Sequence, residues 1–156
     1  MVAGLALLIC AALQFWRLNR WSWRHTGAEP LVWILHLGYA FVPLGALAMG
    51  LAILFPAQMA GIGAQHLWMA GAMGTMTIAV MTRATLGHTG QALTANRSTV
   101  AIYLAIVGAV VCRFVAGFDL ALSSVLLDIA GTLWCAGFLG FALVYGKLLL
   151  RPKSQK

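Results

Sequence analysis

Five apolar runs, at residues 1–16, 31–55, 66–86, 98–116 and 124–149, occupy most of the chain and are separated by short basic linkers. The last four reach or approach the ~20 residues that a helix rising 1.5 Å per residue needs to cross a ~30 Å hydrocarbon core. No water is available there to pair exposed backbone groups, so each run must satisfy its own N–H and C=O groups as a helix. A β-barrel would show alternating polar and apolar residues, and these runs do not alternate. The expected fold is all-α: a polytopic transmembrane bundle of about five helices, forming one domain over residues 1–156. The first run is the shortest, and the reading is of a tilted or incomplete helix, as though the chain began inside a longer protein.

Hydrophobic residues make up 62% of the chain and charged residues 8%, against roughly 45–50% and 25% in soluble domains. The lipid bilayer is therefore the expected solvent. A net charge of +7 would suit nucleic acid only if the basic residues gathered on one face, and here they fall in blocks between apolar runs. No nucleic-acid partner is expected. Arg17, Arg20, Arg24, Arg83, Arg97, Lys147, Arg151, Lys153 and Lys156 all lie on one side of the membrane if the chain crosses five times. By the positive-inside rule that side is cytoplasmic, which places the C-terminus in the cytoplasm of a bacterial inner membrane. Linkers 56–65 and 117–123 then face the other compartment, with Arg113 the one exception to the charge bias. The N-terminal run has neither a preceding basic residue nor a clear cleavage site, so a removable signal peptide is not expected. Cys10, Cys112 and Cys135 sit in separate runs and read as small packing residues.

Small residues four apart supply expected contact faces: Ala46 and Gly50, Ala101, Ala105 and Ala109, Ala136 and Gly140. Trp21, Trp23 and Trp33 suit an interfacial aromatic belt. On the third helix His66, Met69, Met73, Met76, Val80 and Arg83 follow at steps of three and four, forming one stripe. Imidazole suits copper and iron and thioether suits Cu(I), so the stripe is a candidate metal or cofactor face. Methionine is equally a flexible filler of helix contacts, and both readings stand.

His36 lies within the second helix with Tyr39 on the same face, and an ionisable group at that depth normally faces the bundle interior. His88 sits between Gly87 and Gly90 in a turn; from spacing alone it reads as a solvated loop residue, as does His25. Arg113 and Asp128 are expected to pair, with Asp119 a competitor for the arginine. The chain has only three carboxylates and no nucleophile triad, phosphate loop or HExxH sequence, which leaves hydrolase and phosphotransfer readings without support.

The stretches Leu35-His36-Leu37-Gly38-Tyr39-Ala40-Phe41-Val42-Pro43-Leu44-Gly45 and Gly74 through Gly90, the latter containing Met81-Thr82-Arg83-Ala84-Thr85-Leu86-Gly87-His88, closely resemble signature stretches of the NnrS family. The resemblance covers about residues 1–150 and corresponds to the family's C-terminal portion. It implies a membrane protein associated with haem and copper that acts in the bacterial response to nitric oxide and nitrosative stress. It implies His36, Tyr39, Arg83 and His88 as cofactor-binding residues. His36, His66 and His88, with Met69, Met73 and Met76, are the implied metal donors. The helices that precede this portion in the family, another subunit or a second copy are the implied partners. A redox enzyme acting on nitric oxide, and a cofactor-free assembly or copper-trafficking module, are the alternatives.

Depth sets which histidines can share an ion. His36 lies about five residues in from the basic side and His66 begins the third helix at the other side, a separation expected to exceed about 20 Å. His36 and His88 are the expected pair. The charge bias also yields a topology prediction: a reporter fused after Lys156 should be active only in its cytoplasmic form, and periplasmic activity would reverse the orientation.

Overall fold

The computed structural model describes residues 1–21, 29–57, 61–118 and 121–150. Within them every regular element is helical: α1 (Val2–Asn19), α2 (Pro30–Leu54), α3 (Gly61–His66), a π-helical segment (Leu67–Gly74), α4 (Thr75–His88), α5 (Arg97–Ala116) and α6 (Ser123–Leu149). The pieces from α3 to α4 follow without a break and make one rod, so the fold is an all-α bundle of five helices. Four of them, α1, α2, α5 and α6, are long and apolar enough to cross a membrane, with mean hydropathies of 1.5 to 2.2. The rod starts at Gly61, five residues ahead of the apolar run, and α1 continues to Asn19. Helices keep pairing their backbone through the interface after the apolar composition has ended.

Helix starts follow local chemistry. The Glu29 side chain accepts from Leu31 N–H at 3.3 Å, and Pro30 occupies the first helical turn, where its missing donor is harmless. The same carboxylate oxygen accepts from Ala95 N–H at 3.0 Å, tying the start of α2 to the loop before α5. Asn96 caps α5 through Thr99 N–H at 2.8 Å and also accepts from the Thr99 hydroxyl at 2.9 Å. Thr99 Oγ1 in turn shares a hydrogen bond with the Tyr145 hydroxyl, joining α5 to α6.

Large side chains seated on glycine set the helix register. Met76 packs on Gly38, Phe41 on Gly71, and the Trp68 indole covers Gly45. Trp68 Nε1–H donates to the Val42 carbonyl at 2.9 Å, one residue before Pro43, which removes a donor from the α2 ladder. On the far side of the rod, Gly74 receives the Trp134 ring of α6, and Ile106 fills the space at Gly137. One buried cluster, including Leu31, Ile34, Ile78, Ile106 and Phe141, joins α2, α4, α5 and α6. A second, including Phe41, Ala64, Leu67 and Val110, joins α2, α3, the π segment and α5. α1 rests along α2, where Gly4 and Gly50 come together beside Leu8 and Leu54.

The expected small-residue faces are partly corrected. Ala46 and Gly50 are buried contacts, but Ala101 and Ala136 are exposed, and the α5–α6 seam runs through Ile102, Ile106, Gly137 and Phe141 instead. Alanine is as acceptable facing lipid as facing a helix, so its spacing alone does not mark a contact.

Replacing Gly45 by Ala would drive a Cβ into the Trp68 indole, whereas a Cβ at Gly146 meets nothing within 4 Å. Gly45→Ala should therefore destabilise the detergent-solubilised protein by about 1–3 kcal/mol, the range for overpacking. Its thermal unfolding midpoint should fall while that of Gly146→Ala stays at the wild-type value.

Candidate functional site

At the end of the bundle that carries Arg17 and Arg20, α1 and α2 assemble a polar and aromatic cluster around His36. His36 Nδ1 lies 3.0 Å from the Val32 carbonyl one turn earlier. A carbonyl only accepts, so Nδ1 carries the proton and a neutral ring keeps its Nε2 lone pair free for a ligand. Trp21 stands edge-on to the imidazole, with centroids 5.4 Å apart, and tilts against Tyr39 at 4.7 Å. The Tyr39 hydroxyl donates to Gln14 Oε1 at 2.5 Å, and the Arg17 guanidinium lies 5.8 Å from the Tyr39 ring centre. Arg20 packs over Trp16 at 5.6 Å. An open groove of about 370 Å³, lined by Phe15, Leu18, Asn19, Trp33 and Leu37, leads to the half-buried His36. The cluster thus offers a free imidazole nitrogen, aromatic walls and one permanent cation, Arg17.

These residues would suit a haem: the imidazole is a haem ligand type, and the planar guanidinium of Arg17 would suit the group's carboxylates. A complete metal-ligand set is not gathered, since among the described residues no three His, Cys, Asp or Glu come together.

The expected pairing of His36 with His88 is corrected by the register. With Gly38 against Met76 and antiparallel helices, Ile78 stands level with His36, and His88 lies ten residues further along α4, about 15 Å away axially. Positions two apart on a helix also point in nearly opposite directions, so Gly38 facing α4 turns His36 toward α1. The same register sets His66 level with about residue 47, roughly 16 Å above His36 and less than the distance expected. The three histidines occupy three depths. Arg83 and His88 are exposed on α4, on the side of α2 away from the His36 cluster.

Of the methionine stripe, Met69 and Met73 are 56% and 68% exposed and point outward, as do Val80 and Arg83, whereas Met76 turns in against Gly38. His66 is half-buried, its Nδ1–H donating to the Ile62 carbonyl at 2.7 Å. The buried stripe of the rod is made of hydroxyls: Thr75, Thr82 and Thr85, with Thr99 and Tyr103 of α5 behind them. Thr82 Oγ1–H donates to the Ile78 carbonyl at 2.6 Å, while the buried Thr75 and Tyr103 hydroxyls have no partner among the described residues. Thr75 ends the π segment, a wide turn frequent at functional sites. The helical spacing of Thr75, Thr82, Thr85 and Thr89 was legible beforehand and is the signal that the methionines obscured. Arg113 is half-buried with no ion pair among the described residues, and Asp128, its expected partner, is exposed. Trp23, Arg24, His25 and Asp119, together with Arg151, Lys153 and Lys156, lie outside the described residues.

Five helices, four of them of membrane-spanning length and composition, and an imidazole set among aromatic residues and cations define a polytopic all-α membrane protein. A family model described as NnrS protein matches residues 1–153, so the chain belongs to the NnrS family, whose members are associated with the response to nitric oxide. No curated protein and no solved structure matches the chain.

Since His36 and His88 are separated in both depth and direction, His36→Ala and His88→Ala should give different absorption changes in the purified, cofactor-loaded protein. An identical defect from both variants would contradict the register.

Proposed function

We propose that this chain is a haem- and copper-associated component of the nitric oxide response in a bacterial inner membrane, with His36 as a haem ligand. The observation that carries the reading is the 3.0 Å contact of His36 Nδ1 with the Val32 carbonyl, beside Trp21 and next to Tyr39 with Arg17 over its ring. A ring fixed in this way presents Nε2 in one orientation, as ligating histidines usually do. Bound haem would supply an iron centre able to take a diatomic ligand. The chain's part is to hold the ring, shield it with Trp21 and neutralise carboxylates with arginine.

His66 and the outward-facing Met69 would serve copper, because imidazole and thioether are both suitable donors for it. Further ligands would come from a second copy, another subunit or further helices, and exposed apolar side chains such as Leu5, Ile9 and Leu13 on α1 give such a partner, or lipid, a surface to meet. The basic end of the bundle is proposed to be cytoplasmic.

Protein purified in detergent from cells supplied with haem and copper should show a Soret band and contain copper. His36→Ala should lose most of the Soret absorbance and retain copper; His66→Ala should do the reverse. Wild-type protein with neither cofactor would overturn the reading in favour of an assembly or packing role.

A further inference from the structure

At the opposite end of the bundle, α3, the π segment, α5 and α6 enclose an open groove of about 500 Å³. Ala109, Ala130 and Gly131 form part of its lining, Trp134 stands deeper along α6, and His66 and Arg113 also line it. From Leu127 to Cys135, both on its wall, it runs about 12 Å along α6. The lining is mostly apolar, with one permanent charge. Arg113 lies in the last turn of α5 and is the single lysine or arginine that the sequence places at this end.

A guanidinium stays charged, and at membrane depth it is costly unless it reaches an anion or the interface. Among the described residues no carboxylate lines this groove. A cation beside a narrow apolar channel running into the membrane matches the outline of a phospholipid: the phosphate at Arg113, the glycerol and first acyl carbons over Ala130 and Gly131. We propose that the groove seats an anionic phospholipid of the bilayer leaflet at that end. A zwitterionic lipid would bring an ammonium group to a site with an arginine and, among the described residues, no acid lining it.

The test uses the full chain, delipidated in detergent and titrated with phosphatidylglycerol or phosphatidylcholine of the same acyl chains, with bound lipid counted by native mass spectrometry. Wild type should hold one phosphatidylglycerol about fivefold or more tightly than phosphatidylcholine, the preference expected from one interfacial cation. Arg113→Gln should bring the two lipids to equal affinity. A Cβ at Gly131 meets nothing within 4 Å and Gly131 lines the groove, so Gly131→Leu should extend into the groove from a position clear of the core. This variant should release the bound lipid while keeping the wild-type unfolding midpoint. Inorganic phosphate should not compete, because it lacks the acyl chain that the groove accommodates.

Absence of a preference in wild type, as when Asp119 already neutralises Arg113, overturns the proposal. So does a preference that survives Arg113→Gln, lipid retained in Gly131→Leu, or displacement by phosphate alone. Haem content is read at His36, which lines a different groove, so none of these outcomes bears on the haem assignment.

Discussion

The seating of Met76, Phe41 and Trp68 against glycines at the interface of α2 with the central rod is the constraint on which the other geometry depends. Lipid tails are as apolar as the helices they surround, so association rests on close packing and interhelical hydrogen bonds. Here both occur together. Gly45 admits the Trp68 indole, and that indole donates to Val42 where Pro43 interrupts the ladder. The hydrogen bond accounts for little of the energy, about 0.6 kcal/mol for a typical interhelical bond in a membrane. Its importance is geometrical: with Gly38 against Met76 it fixes depth and rotation together. That is why His36 faces α1 rather than α4.

The number and type of helices were legible because burial in hydrocarbon leaves the backbone no alternative to helix, and a run of apolar residues records that directly. Rotation about each axis was not. An apolar side chain suits lipid and helix contact equally, so Met69, Met73, Ala101 and Ala136 looked like interior residues and are exposed. The π segment adds a second reason: its wider turn breaks the 3.6-residue period on which the stripe from His66 to Arg83 was drawn. Polar residues were the better guides. Thr75, Thr82 and Thr85 are buried, as are Thr99 and Tyr145, and the Thr99–Tyr145 hydrogen bond across α5 and α6 would be lost if either hydroxyl pointed toward lipid.

The candidate site was legible in one residue and not in its surroundings. His36 stood out as an ionisable group inside an apolar run. Trp21 read only as an interfacial anchor and Arg17 only as one of the basic residues that set the orientation, and nothing in the sequence singled out Gln14. They join His36 because α1 lies along α2, an adjacency that no local pattern encodes. The depth comparison between His36 and His88 went astray for a related reason. Both residues were assigned to the basic side, but that side spans the loop and several helical turns, and a metal site tolerates only a few ångströms.

The two ends of the bundle use cations differently. At the end bearing most of the basic residues, Arg17 and Arg20 lie against the faces of Tyr39 and Trp16, contacts that keep guanidiniums at the interface and leave their edges for an anion. At the other end Arg113 has no aromatic ring or carboxylate against it among the described residues, and a groove opens beside it instead. A cation stacked on aromatic residues is already partly compensated. A bare cation beside an apolar channel is not compensated in this way, and it favours an occupant that stays. The two ends therefore compensate their guanidiniums differently, by aromatic faces on α1 and α2 and by an open groove beside Arg113.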